Sequence, residues 1–390
     1  MFFAGIIASL GLKIRKMIQM EPQTNLRKRN ILALDGGGVR GIITLAFLER
    51  IEELLAKAGM GNLNQHFDLV GGTSTGSIIA SGLSLGLSPK DLTRFYMRLG
   101  PKVFRKPRWR IRGVQSVFDA RMLKAQLEEI IGDATLDSDR IHNSLAIIAK
   151  RMDTGSPWIV HNNPNGAFWE DAADGSYIGN RNYRLAEIVR ASTAAPYYFS
   201  PELIEIVKGE DPGLFVDGGV SPHNMPGLAL LLLVTAPKYG YGWSTGLDQL
   251  DIVSIGTGTF RQRMSKGGFL REPAASMAIK AVSSVIADCE IHNLSVMQSL
   301  GACKYAWNLN SEIGDLSDFQ LGSTPLFGFS RYNVGLEHRW LKAELDVTIS
   351  DKELALVRDF TNPDGMQLAY DIGKVCAQKQ VSLQHFQTSP

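Results

Sequence analysis

The chain has 390 residues, of which 44% are hydrophobic and 21% charged, the balance of an ordinary folded protein; a disordered, collagen-like or polytopic membrane chain is excluded. Lys plus Arg (41) nearly matches Asp plus Glu (39), a net charge of +2, so no whole-molecule field recruits a nucleic acid polymer, although local basic patches stay open. Cys289, Cys303 and Cys376 are odd in number, far apart and without metal-site spacing, which predicts free thiols in a reducing, cytoplasmic compartment.

Residues 1–12 are apolar but fall short of the roughly 17–25 residues that a spanning helix needs. Lys13, Arg15 and Lys16 follow the apolar run, the wrong order for a signal peptide. Phe3, Ile6, Ile7, Leu10, Ile14, Met17 and Ile18 recur at helical steps, predicting an amphipathic helix with a basic flank. It would lie in a membrane interface, or pack on the body of the protein or on a second subunit.

From Arg29 onward, short apolar strands end in glycines and run into helical periodicity, the mark of an α/β protein with a mostly parallel sheet. The pattern predicts strands over 30–34, 67–70, 145–150, 214–216 and 251–255, with helices over 42–58 and 74–85. Ligands of such sheets sit outside the carboxyl ends of the strands. After Gly267 the glycine-capped strands stop, and a long helix is expected over 274–300. The capping box from Ser350 to Glu353 opens another, and 366–378 forms a third. The expected organisation is an N-terminal segment (1–28), a catalytic domain (29–266) and a helical C-terminal region (267–390), either a cap on the sheet or a small regulatory domain.

Gly72-Thr73-Ser74-Thr75-Gly76 is a G-x-S-x-G between a predicted strand and a predicted helix. Such a turn lifts the serine Oγ clear of the sheet at a helix N-terminus, making Ser74 a candidate nucleophile; the plain alternative is a helix cap. Asp35-Gly36-Gly37-Gly38-Val39-Arg40-Gly41 contains a formal G-x-G-x-x-G in Gly36, Gly38 and Gly41. A pyrophosphate cradle is one reading, although Asp35 sets a carboxylate directly before the turn and no clear acidic residue ends the second strand about 20 residues on. A row of amides facing an oxyanion, with Arg40 adding positive potential, is the other; a purely structural turn is the third. Asp217, in Val216-Asp217-Gly218-Gly219, is a candidate base, provided a dry cleft lifts its pKa from the usual ~3.9. His223, His292 and His338 follow in the serine, aspartate, histidine order of α/β-hydrolases, so a triad stays open.

Taken together, these blocks resemble the patatin-like phospholipases. The D-G-G-G-x-R-G loop, the G-x-S-x-G and the D-G-G stand in that family's order. Residues 190–199 look like its R-A-S-x-A-A-P-x-x-F segment, and Ser254-Ile255-Gly256-Thr257-Gly258 is similar to its S-x-G-T-G strand end. The resemblance implies a three-layer α/β/α sandwich, a Ser-Asp dyad without histidine, and hydrolysis of lipid acyl esters with no metal or other cofactor. Carried over, Ser74 is the nucleophile and Asp217 the base, Gly36, Gly37 and Gly38 are the oxyanion donors, and Arg40 lies beside them. Gly72, Gly76, Gly218 and Gly219 shape the turns. Met225 departs from a frequent asparagine and Ser77 from a frequent glycine. The subgroup is similar to bacterial anti-phage effectors that wait for a cyclic nucleotide and then degrade the cell's own membrane phospholipids. That likeness implies a cyclic nucleotide activator, and homo-oligomerisation through the terminal helices as a route of control. The rival reading is a nucleotide-binding module built on residues 35–41 with no hydrolase activity.

Between Asp91 and Asp119 there is no acidic residue, while Arg94, Arg98, Lys102, Arg105, Lys106, Arg108, Arg110 and Arg112 are interleaved with Phe104 and Trp109. Arg105, Arg108, Trp109 and Arg110 are candidates for docking on anionic lipid headgroups at the inner face of the cell membrane, or for gripping a phosphate-bearing regulator. A solvated basic loop is the plain alternative.

Overall fold

The computed structural model describes residues 27–104, 116–261 and 274–387; the expected N-terminal helix and the docking candidates Arg105, Arg108, Trp109 and Arg110 lie outside them. Counting helices of two turns or more, the chain runs β1 (Arg29–Leu34), α1 (Gly41–Lys57), β2 (Leu69–Thr73), α2 (Thr75–Ser84), α3 (Pro89–Val103), α4 (Ala120–Ile131), β3 (Ser144–Arg151) and β4 (Ser156–His161). It continues with α5 (Leu185–Ser192), β5 (Glu202–Ile204), β6 (Gly213–Asp217), α6 (Gly227–Thr235), β7 (Leu250–Ile255), α7 (Ala274–Leu300), β8 (Ala302–Tyr305), β9 (Gly328–Tyr332), α8 (Asp351–Arg358) and α9 (Met366–Gln380).

The strands form one sheet in the order β5-β6-β3-β2-β1-β7-β9-β8, with β4 paired to β3. From β3 to β8 neighbours are parallel, whereas β4 and β6 run antiparallel to β3. Alternate residues feed separate cores, as the period of two requires. Leu32 and Leu34 join α1, α2, α3 and α9 on one face; Ile31 and Ala33 join α6 and the end of α7 on the other. The result is a three-layer α/β/α sandwich. Among the described residues no helix is long and apolar enough to cross a membrane.

Two departures from the sequence reading have physical reasons. The second strand is Leu69–Thr73 rather than 67–70, because Gly71 and Gly72 belong to it. A Cβ on Gly71 would strike Leu230 of α6, and one on Gly72 would strike the Gly76 backbone; close packing, not apolar character, selects the residues there. Strands β8 and β9 extend the sheet beyond β7, so the expected helical region 267–390 also carries strands. Strand β9, Gly-Phe-Ser-Arg-Tyr, is buried throughout despite its arginine.

The arrangement of β3 decides where the site forms. Its residues 146–151 pair with β4 along one edge. On the other edge β2 occupies residues 144–148 and β6 occupies 149–151. Strands β2 and β6 therefore meet end to end, with the carboxyl ends of both at the junction.

Candidate active site

Ser74 is the single residue between β2 and α2, with φ 53° and ψ −120°. A non-glycine residue in that region costs on the order of 1–3 kcal/mol and persists only where its surroundings enforce it. Two serines supply the enforcement. The Ser74 N–H donates to Ser192 Oγ at 2.9 Å, and Ser192 Oγ donates in turn to the Ile148 carbonyl at 2.6 Å. Ser77 Oγ donates to the Ser74 carbonyl at 2.6 Å, which gives this departure from glycine a bonding role. Gly76 is required by the Leu34 carbonyl, which occupies the space a Cβ would take.

Asp217 closes β6 and faces Ser74 across the strand junction. Its Oδ2 accepts from Ser74 Oγ at 2.6 Å, and its Oδ1 accepts from the Gly219 N–H at 2.7 Å. Burial pushes the Asp217 carboxyl up to about 6, against the opposing pull of these hydrogen bonds and of the Arg190 charge. The Ile148 carbonyl occupies the space beside Gly218, so the D-G-G sequence is dictated by the same crowding.

The histidines of the triad alternative stand elsewhere. The His223 carbonyl accepts from Thr73 Oγ1 at 2.6 Å. His338 pairs with Asp351 at 2.7 Å on the surface, and His292 is exposed on α7. Among the described residues no histidine ring is hydrogen-bonded to Ser74 or Asp217.

The glycine loop after β1 reaches the same place, with one correction. The Gly36 N–H donates to the Asn224 carbonyl at 3.0 Å, so it is committed to tying this loop to the segment after the D-G-G turn. The Gly37 and Gly38 amides have no partner among the described residues. Thr257 crowds Gly37, and the Phe360 carbonyl crowds Gly38, whose φ of 59° also favours glycine. Arg40 lies with its guanidinium carbon 5.6 Å from the centre of the Phe260 ring, which Arg358 approaches to 4.8 Å. Burial lowers the Arg40 pKa to about 10, while Glu290 and Asp359 oppose the shift.

Around these groups opens a cavity of about 1300 Å³. Ile78, Tyr96, Leu99, Phe104 and Phe199 form an apolar wall, and Val282, Ile286 and Ile291 of α7 border it as well. Among the described residues no cluster of three or more His, Cys, Asp or Glu side chains is placed to hold a metal ion.

Sequence reasoning missed three contributors. Ser192 sits in the R-A-S segment, where the sequence assigns it no role. Asn224 follows the D-G-G turn without a motif of its own. Arg331 on β9 has no local signal at all, yet it takes up the Asp35 carboxylate that makes the nucleotide reading awkward.

The sandwich, the strand-serine-helix joint and the cavity define an α/β protein that holds a strained serine against a buried carboxylate. The chain belongs to the patatin-like phospholipase family, whose model matches residues 32–231. It is 28% identical over 235 residues to a cGAMP-activated phospholipase of Escherichia coli (strain TW11681), covering 58% of this chain and 61% of that protein. It is 29% identical over 247 residues to Patatin-2-Kuras 4 of Solanum tuberosum, covering 59% and 62%. The chain thus spans less than two thirds of the length of either relative. Human GIVD cytosolic phospholipase A2 overlays with a TM-score of 0.38 at 11% identity, covering 93% of this chain and 60% of that one.

Proposed function

We propose that this chain cleaves acyl esters of membrane phospholipids, with Ser74 as nucleophile and Asp217 as its general base. The 2.6 Å hydrogen bond from Ser74 Oγ to a carboxylate whose pKa is raised to about 6 carries this reading. Burial makes Asp217 a better base than an exposed carboxylate while leaving it ionised at neutral pH. Ser74 Oγ attacks the ester carbonyl and its proton passes to Asp217 Oδ2. The oxyanion meets the Gly37 and Gly38 amides, a contact whose loss costs on the order of 10²–10³ in turnover. Collapse expels the lysolipid alcohol, which takes the proton from Asp217. Water, deprotonated by the same carboxylate, then releases the fatty acid from acyl-Ser74. Use of the loop as a pyrophosphate cradle is disfavoured, because the Gly36 and Val39 amides already serve the Asn224 and Phe360 carbonyls.

Ser74→Ala and Asp217→Asn each abolish hydrolysis of a short-chain ester and of phospholipid vesicles while both proteins melt cooperatively; full turnover in either variant sinks the dyad. Action at the inner face of the membrane is part of the proposal. Neutralising Arg105, Arg108 and Arg110 together slows vesicle hydrolysis and spares soluble esters.

The likeness to a cGAMP-activated phospholipase supports control by a cyclic nucleotide, with anti-phage defence as the setting and self-association as the route. Purified chain titrated with cGAMP and other cyclic dinucleotides gains at least tenfold in vesicle hydrolysis under this reading. No gain with any of them removes the activator and leaves the hydrolase standing.

A further inference from the structure

Strand register places Ala33, Ser254 and Arg331 side by side across β1, β7 and β9. Laterally paired residues point to the same face of a sheet. The small side chains of Ala33 and Ser254 therefore leave a trough through which the long Arg331 side chain reaches toward the carboxyl end of β1. Its Nη1 donates to Ser254 Oγ at 2.8 Å, and its Nη2 reaches Asp35 Oδ2 at 2.6 Å and Glu290 Oε1 at 2.8 Å. Arg331 is fully buried, Asp35 is 2% exposed and Glu290 is 20% exposed.

Each partner carries part of the cleft. Asp35 is the residue from which the Gly36–Gly38 loop departs. Glu290 lies on α7, whose buried anchor begins near Asn293 and Leu294, while Val282, Val285 and Ile291 are exposed. Glu290 also attracts Arg40 at the far end of the loop. One carboxylate on the wall helix thus acts on the charges at both ends of the loop.

We propose that Arg331, held between Asp35 and Glu290, is a positioning residue that sets the Gly37 and Gly38 amides for catalysis and makes their alignment depend on where α7 sits. A buried guanidinium with two carboxylates is weak grounds for stability, because desolvation offsets most of the attraction. Its value lies in geometry: Arg donates in a fixed fork, so the separation of Asp35 and Glu290 is set by a rigid plane. Asp35 Oδ1 has no hydrogen-bond partner, so the Asp35 carboxylate is held through its Oδ2 contact alone, beside the main-chain ties of the loop to Asn224 and Phe360. Burial raises the Asp35 carboxyl to about 7 against the pull of Arg331, in keeping with a carboxylate retained for placement at an energetic cost.

The inference rests on the hydrolase reading, and the experiment separates the two. The probes are a soluble short-chain ester and a fluorophosphonate that titrates active Ser74. Glu290→Gln keeps the shape of its side chain at a partly exposed position and is the variant expected to fold; Arg331→Lys keeps the charge but loses the fork. In both, kcat per titrated site falls about 10- to 100-fold with KM changed less than threefold. Amide hydrogen exchange of the peptide covering residues 35–40 rises in Glu290→Gln along with that of the 281–292 peptide. A role confined to stability lowers the melting temperature or the titratable fraction and leaves kcat per site intact. Unchanged kcat per site in Glu290→Gln, or unchanged exchange at 35–40, overturns the proposal. An inactive wild-type chain, or wild-type turnover that survives Ser74→Ala, overturns the hydrolase reading instead.

Discussion

Thr73 and Asp217 stand opposite consecutive residues of β3, Ile148 and Ala149, on one edge of that strand. The hydroxyl of the next residue, Ser74, and the Asp217 carboxylate are 143 residues apart in sequence, yet they meet because two strands running toward each other share a template. The Ile148 carbonyl sits at the seam and accepts from Ser192, whose Oγ also accepts from the Ser74 N–H, so the Ser74–Asp217 pair is fastened to the strand that aligns it.

This placement fixes a pH profile. Protonated Asp217 cannot accept the Ser74 proton, so kcat/KM for an uncharged ester falls as pH drops through about 6, the value to which burial lifts this carboxyl. Asp35, raised to about 7 by burial, titrates in the same range, and the limb assigned to Asp217 persists in Asp35→Asn. Activity that stays flat from pH 7 down to pH 5 counts against Asp217 as the base.

Stability moves the opposite way at that residue. With its folded pKa near 6 and an unfolded value near 3.9, Asp217 is harder to ionise in the native state, a burden fully present above about pH 6 and absent below about pH 4. Asp217→Asn is therefore inactive but more stable at pH 8, by on the order of 1–3 kcal/mol. The gain shrinks toward pH 4.5, and urea midpoints at the two pH values measure it.

Ser192→Ala removes the acceptor that holds the strained Ser74 amide and leaves the Ile148 carbonyl without its donor. Turnover falls about tenfold with KM near the native value, and stability falls by roughly 1–3 kcal/mol. Native turnover in Ser192→Ala, read by active-site titration and steady-state kinetics, shows that the backbone of Ser74 holds its conformation unaided.

Gly38→Ala meets the Phe360 carbonyl in a backbone conformation that favours glycine. It loses 10²- to 10³-fold in turnover, roughly the loss expected from one oxyanion donor, while Gly59→Ala, where a Cβ finds open space beside a similar φ of 68°, leaves kinetics unchanged. Equal kinetics in the two variants would detach the loop from the chemistry.

How far the sequence could be read follows the range of the interactions. Ser74, Asp217 and their flanking glycines were legible because short motifs mark them, even though the carbonyls that forbid a Cβ at Gly76 and Gly218 come from distant Leu34 and Ile148. The glycines that fix the loop hid the true end of β2, since a strand read from apolar side chains stops where Gly71 and Gly72 begin. The commitment of Gly36 to Asn224 and the reach of Arg331 to Asp35, 296 residues away, depend on strand order and register. No local pattern encodes either. The buried arginine likewise disguised β9, which a hydropathy reading passes over although the whole strand is interior.

The continuity of the sheet past β7 bears on how the chain can be divided. A fragment ending at residue 266 would contain both Ser74 and Asp217 but would strip β7 of its neighbour β9, leaving Leu250–Ile255 as a raw apolar border open to pairing with other molecules. It would also orphan the carboxylate of Asp35 in a dry site with no counter-ion. The last third of the chain is in this sense the keel of the sheet and not its cargo: such a fragment should emerge as insoluble aggregate, and co-expression with residues 267–390 should bring it back into solution.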